Sequence, residues 1–408
     1  MRFEDYSISE VIKQNLADMG FNRPTDIQFK SIPPILRGED VLAIAQTGTG
    51  KTAAFAIPVI HLLHERKRKV RNQGIQCIVM VPTRELALQI TRVFNNIERG
   101  TRVTTISLYG GVEQDPQIQK LLQGVDILIT TPGRMFDLNH QGFIHLENTA
   151  IVILDEADHM LDLGFIQDIR DLSRHLPAKR QTLFFSATIN DHIKGLAYSL
   201  VTNPIRIQIA PKDRVSKNID HSKFFVAADE KRFFLERIVK EHPEKKILIF
   251  VRTKVRAERV AKAMARVEID TITIHGDKDQ KDRIDVLQKF RTGANKIMIA
   301  TDVSARGIDI PNVDYVVNYD LPDVAENYVH RVGRTGRGTQ HGIAISFCCD
   351  EENDLLAEIE KFLTKPIVEM KIDLTDYKKT IDFTEDATTH NLKELLKEVE
   401  AFEDYQKK

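Results

Sequence analysis

Three cysteines in 408 residues, Cys77, Cys348 and Cys349, leave no disulfide framework, and their apolar surroundings and spacing leave no zinc site. Charge of one sign is equally scarce. With 58 Lys and Arg against 59 Asp and Glu, the net of −1 excludes a polybasic, histone-like mode of nucleic-acid binding and confines any such binding to a local patch. No apolar run approaches the ~18 residues of a membrane-spanning helix. The N-terminal MRFEDYSISE is acidic, with no apolar stretch of signal-peptide length. These absences predict a cytoplasmic protein in a reducing compartment, without a membrane partner.

What is present is ordinary globular material: 42% hydrophobic and 29% charged residues. At roughly 150 residues per domain, the length predicts two domains and a tail. Apolar runs at 41–45, 76–81, 125–130, 150–154 and 182–185 alternate with helical patterns, which predicts an α/β domain with a parallel sheet covered on both faces. After a polar, proline-bearing stretch the pattern resumes with runs at 246–251, 270–275, 296–301, 315–318 and 342–347. The expected organisation is a first domain over 1–210, a linker over 211–221, a second domain over 222–366 and a tail over 367–408. From Lys371 onward the tail carries 7 Lys against 10 Asp and Glu. In it Leu392, Leu395, Leu396, Val399 and Phe402 share one helical face, suited to docking on the body or on a protein partner.

The chemistry concentrates in a few segments. Residues 45–52, AQTGTGKT, follow a strand and open a helix, the context of a phosphate loop. Backbone N–H groups from Gln46 through Gly50 (Gln46, Thr47, Gly48, Thr49, Gly50) form an anion nest, Lys51 reaches the β- and γ-phosphates, and Thr52 suits Mg²⁺. A second strand end delivers Asp155 for the metal and Glu156 for the attacking water of an in-line displacement. Upstream, GFNRPTDIQ at 20–28 supplies Gln28, which can read the adenine edge, Phe21, which can stack on the base, and Thr25 beside them. The second half holds no glycine-lysine loop, so the two domains are not equivalent sites. His159, directly after DEAD, stands where a longer basic side chain is expected, and nothing in the sequence explains it.

Together with PTRELALQ at 82–89, TPGR at 131–134, DEAD at 155–158, SAT at 186–188, ATDVSARGIDI at 300–310 and HRVGRTGR at 330–337, these segments stand in the order of one family. From about Phe3 to Leu363 the chain resembles a DEAD-box ATP-dependent RNA helicase of the short-tailed, bacterial type. The resemblance implies two tandem RecA-like domains with a cleft between them, ATP with Mg²⁺ as cofactors, and closure of the domains as the step that assembles the site. It further implies that Arg334 and Arg337 act as arginine fingers, that His330 contacts the DEAD segment and that Asp309 holds the ribose. In a helix, His330, Arg334 and Arg337 would share one face.

For RNA, Pro82-Thr83-Arg84 and Thr131-Pro132-Gly133-Arg134 each put a Thr at a helix start with an Arg close by, a phosphate-binding arrangement. Gly110 and Gly111 permit close backbone approach. The resemblance adds Arg252, Gly276, Gln280, Arg283 and Thr301 in the second domain. Ser186, Ala187 and Thr188 are expected to link nucleotide state to RNA state. Contacts of this kind read the backbone, so the expected partner is single-stranded or short duplex RNA of any sequence, bound by a monomer. The leading expectation is local unwinding of short duplexes by RNA-stimulated ATP hydrolysis. Its rivals are an ATP-gated RNA clamp or ribonucleoprotein-remodelling factor with little unwinding, and an ATPase acting on DNA or protein.

Overall fold

The computed structural model describes residues 2–46, 48–69, 74–209, 215–305, 310, 313–336, 340–370 and 380. The expected contributions of Thr47, Asp309 and Arg337, and the amphipathic pattern of the tail, lie outside the described residues. The chain divides into two compact units: Met1–Lys212 with Arg306–Asp309, and Asp213–Ala305 with Ile310–Lys408.

In the first unit the order is α1 (Glu10–Asp18), α2 (Asp26–Leu36), β1 (Val41–Ile44), α3 (Lys51–Lys69), β2 (Cys77–Met80), α4 (Arg84–Glu98), β3 (Thr105–Leu108) and α5 (Asp115–Leu122). Then follow β4 (Ile127–Thr130), α6 (Pro132–His140), β5 (Ile151–Leu154), α7 (Ala157–Asp162), α8 (Ile166–His175), β6 (Gln181–Ser186), α9 (Asp191–Leu200) and β7 (Ile205–Gln208). The seven strands form one sheet in the order β3-β4-β2-β5-β6-β1-β7, every pairing parallel. Alternate residues of each strand feed two cores. Val41, Ala43, Ile151 and Ile153 pack on one face, and Leu42, Ile44, Val152 and Leu154 on the other, so the central strands are apolar throughout.

The second unit runs β8 (Ile219–Phe225), α10 (Lys231–Glu241), β9 (Ile247–Phe250), α11 (Lys254–Ala265), β10 (Ile272–Ile274), α12 (Gln280–Thr292) and β11 (Ile297–Ala300). It continues through α13 (Asp302–Ala305), β12 (Tyr315–Asn318), α14 (Ala325–Val332), β13 (Gly342–Cys348), α15 (Asn353–Leu363) and β14 (Val368–Glu369). Its sheet order is β10-β11-β9-β12-β13-β8-β14, again parallel throughout. β8 begins inside the stretch read as linker, and β14 falls inside the stretch read as tail. Thr380 is buried and takes a hydrogen bond from Arg237 Nη1 at 2.8 Å.

One sequence expectation needs correction. His330 and Arg334 do not share a helical face, because α14 ends at Val332 with Gly333 as its cap. Thr335 then pairs with Val313, and Gly336 takes φ +63° where a Cβ would come within 2.9 Å of the Asn218 carbonyl. The chain is pulled out of the helix by this close approach to the start of β8. Arg334 instead folds back, its Nε donating to the His330 carbonyl at 3.2 Å.

Candidate functional site

The phosphate loop leaves β1 beside β6, where Ala45 N donates to Ser186 O at 2.9 Å. Gly48 at φ +84° and Gly50 at φ +95° make the turn that opens α3 at Lys51. The φ of +95° favours glycine at position 50, where a Cβ would also lie 2.5 Å from Gln28 Nε2 and displace that amide. Gln28 donates to the Gly50 carbonyl at 3.1 Å and accepts from Thr25 N at 2.9 Å, while Thr25 Oγ1 donates to Thr49 O at 2.8 Å. The start of α2 is thereby tied to the loop. Phe21 packs edge-on against Phe3 with centroids 6.0 Å apart. Lys51, buried, donates to Ala45 O at 2.9 Å, and Thr52 stands next on α3.

Two strands from β1, across β6, β5 ends in Asp155 and Glu156. Asp155 Oδ1 accepts from Glu156 N at 3.0 Å, and burial pushes its carboxyl up to about 6, against the opposing pull of Lys51. A sealed carboxylate facing an ammonium, with a hydroxyl-bearing Thr52 at the helix start, suits a hard cation that oxygen ligands hold. No ready-made cluster of three His, Cys, Asp or Glu ligands exists among the described residues.

Asp158 was not among the residues the sequence singled out for a role, although it is the last letter of DEAD. Its Oδ2 accepts from Ala187 N at 3.2 Å, Thr188 N at 3.0 Å and Thr188 Oγ1 at 3.2 Å. Ser186 Oγ donates to Thr188 O at 2.8 Å. The SAT segment is thus locked to the DEAD turn.

Along the same carboxyl edge, the segments expected to meet RNA gather at neighbouring strands β2, β3 and β4. Thr83 caps α4, accepting from Leu86 N at 3.3 Å, and Pro132 is the first residue of α6 after Thr131. The Arg84 guanidinium lies across Gly111, where a Cβ would fall 2.0 Å from Nη1 at φ +74°, and Gly110 adjoins it. Arg134 Nη2 donates to Val112 O at 3.0 Å. Gly133 has open space around it. In the second unit, Arg252, Gly276 with Gln280 and Arg283, and Thr301 follow β9, β10 and β11, which are adjacent in that sheet. Arg252 is engaged there, its Nη2 3.0 Å from Glu352 and its Nε 2.9 Å from Asp323.

Also unsignalled by spacing is Arg331, one residue past His330 and 1% exposed. It grips Asp302 through Nε at 2.5 Å and Nη2 at 2.8 Å, and donates to Asp320 O at 2.7 Å. Asp302 follows Thr301, and Arg334 lies three residues past Arg331, so one half-buried ion pair joins the two motifs.

Comparison with known proteins agrees with this geometry. Residues 25–196 match the family model described as DEAD/DEAH box helicase, and residues 230–339 match the helicase conserved C-terminal domain. The DEAD-box ATP-dependent RNA helicase CshA of Geobacillus kaustophilus is 39% identical over 90% of this chain and 78% of its own length. The ATP-dependent RNA helicase RhlB of Shewanella baltica is 42% identical over 90% of this chain and 84% of its own. Among solved structures, S. cerevisiae Dbp5 bound to RNA and ADP BeF3 superposes with a TM-score of 0.82 at 28% identity, covering 95% of this chain and 99% of that one. Mss116p bound to ssRNA and AMP-PNP gives 0.82 at 27%, covering 93% and 81%. No helix among the described residues is long and apolar enough to cross a membrane. With both sheets matched as tandem RecA-like domains and identity near 40% along nine-tenths of its length, the chain belongs to the DEAD-box family of ATP-dependent RNA helicases.

Proposed function

We propose that this helicase holds RNA of any sequence by its backbone and separates short duplexes locally, using RNA-stimulated hydrolysis of ATP. The observation that carries the reading is the shared edge of the first sheet. The phosphate loop and the Asp155–Glu156 pair stand at β1 and β5, and the arginine-bearing helix starts at β2 and β4 belong to the same rigid layer.

Lys51 and the N-terminus of α3 hold the β- and γ-phosphates, Gln28 reads the adenine edge, and Phe21 covers the base. Asp309 holds the ribose. Glu156 orients the attacking water and takes its proton, and Arg334 and Arg337 stabilise charge on the γ-phosphoryl group during transfer, with His330 bearing on the DEAD segment. Thr52 and Asp155 would hold Mg²⁺, which neutralises phosphate charge when bound. The link from Asp158 to Ala187 and Thr188 transmits the state of this site toward the RNA-contacting helix starts. RNA phosphates are taken by Thr83, Arg84, Gly111, Thr131 and Arg134, and by Gly276, Gln280, Arg283 and Thr301 with the nearby Arg252. Free, buried thiols at Cys77, Cys348 and Cys349 suit a reducing, cytoplasmic setting.

The test is steady-state ATP hydrolysis without nucleic acid, with single-stranded RNA, and with DNA of the same sequence, followed by displacement of a short RNA strand. The expected result is strong stimulation by RNA alone, weakened by salt, and ATP-dependent displacement. Equal turnover in all three conditions overturns the reading. RNA stimulation without displacement assigns the clamp instead.

A further inference from the structure

His159 is the residue that neither the sequence nor the proposed chemistry explains, and its surroundings are unusual. The chain enters α7 through Glu156 at φ 51° and ψ 48°, a left-handed conformation that costs a side-chain-bearing residue about 1–2 kcal/mol. Such strain persists where the surroundings over-determine it. Entry by this route, with i,i+3 spacing, sets the Glu156 and His159 side chains together: Nδ1 is 3.5 Å from Oε2, with both side chains buried. Both imidazole nitrogens are sealed from solvent, and neither has a hydrogen-bond partner. A buried polar group left unsatisfied costs about 1–3 kcal/mol, and native structures hold few of them.

Asp158 is occupied by Ala187 and Thr188, and Asp155 accepts from the Glu156 amide. Glu156 is the carboxylate within ion-pair distance of His159 among the described residues. The 3.5 Å separation is about 0.6 Å longer than the roughly 2.9 Å of an N–H···O bond.

We propose that His159 is a positioning residue for Glu156. With a proton on Nδ1, the imidazole donates to Oε2 and fixes the carboxylate's rotamer. The inference rests on the proposed role of Glu156. Holding that carboxylate matters because a misplacement of about 1 Å in a catalytic set can cost 100-fold in rate.

The experiment compares RNA-stimulated ATPase of the full chain carrying His159→Asn, whose amide N–H stands in for Nδ1–H, with His159→Phe, which keeps the volume and removes the donor. Glu156→Gln runs alongside as a reference. Expected is a kcat loss of about tenfold or more for His159→Phe with KM for ATP within about twofold, and recovery of most of kcat in His159→Asn. Thermal melting confirms folding; if His159→Phe melts below the assay temperature, His159→Leu replaces it. Wild-type kcat in the donor-less variant, or equal loss in both, overturns the positioning role. If Glu156→Gln itself turns over normally, the role assigned to Glu156 falls, and the positioning role falls with it. If Glu156→Gln stalls while His159→Phe does not, only the positioning role falls.

Discussion

Aligned strand for strand, β1 of the first sheet answers to β8 of the second, β5 to β12 and β6 to β13. After each of β1 and β8 a helix opens on a buried lysine, Lys51 on α3 and Lys231 on α10. The two lysines have different hydrogen-bond partners. Lys51 donates to a neutral carbonyl at the start of a glycine-bearing turn. Lys231, 1% exposed, pairs with Glu352 at 2.5 Å, and the other oxygen of Glu352 takes the Leu321 amide and the Arg252 guanidinium. In the second unit a carboxylate takes the hydrogen bond of the lysine that corresponds to the one assigned to phosphate in the first, whereas Lys51 gives its hydrogen bond to a carbonyl with the Asp155 carboxyl near it. The residues before Lys231, Ala227 to Glu230, contain no glycine to form a nest and two acids to oppose one. One scaffold sets its lysine in the proposed nucleotide loop in one unit and in a carboxylate network in the other.

The largest effect that would break this comparison is on stability. Lys231→Met removes one of the two cations that hold the buried Glu352 carboxylate, leaving Arg252, and is expected to cost about 3 kcal/mol in urea unfolding. Lys51→Met is expected to cost far less stability while abolishing ATP turnover. Similar losses for the two variants would mean that both lysines are struts.

Next in size is Asp155→Asn. A carboxyl raised by burial to about 6 contributes stability that is complete below the usual carboxyl range, near 4, and is lost as pH rises through about 6. Above that pH the charged form burdens the fold, so the amide should stabilise the protein by about 2–3 kcal/mol at pH 7.5 while eliminating hydrolysis. The stability difference between variant and wild type should open between pH 4 and 6 and stay constant above; a pH-independent difference would contradict the sign.

Smallest is a contrast between the two edges expected to meet RNA. Gly111→Ala strains a φ of +74° and displaces Arg84, costing about 1–2 kcal/mol and raising the KM for RNA. Gly276→Ala meets open space and should leave stability within about 0.5 kcal/mol of wild type. Comparable effects on folding would erase the distinction between a crowded edge and an open one.

The buried strands were readable because runs such as Ile151–Leu154 are apolar on both faces. Four elements escaped: β3, β7 and β14 at sheet edges, and β8 beside one. β7 is exposed at three of its four residues, and β8 mixes Asp, His, Ser and Lys with its apolar residues, so neither shows a clean apolar run. The helical pattern across His330 and Arg334 misled for a related reason. Spacing describes a helix only while the chain stays in one, and Gly333 and Gly336 let it leave.

By itself the sequence determined the alternation of strands and helices, the phosphate loop, the acidic pair at a strand end and the family, because turn chemistry and apolar periodicity act over a few residues. Tertiary structure alone decided that Lys231 meets Glu352 from 121 positions away, that Asp158 clasps Thr188 from 30, and that Arg84 lies over Gly111. Those pairings depend on which strands become neighbours, and sheet order is written in burial summed over the whole chain rather than in any local run.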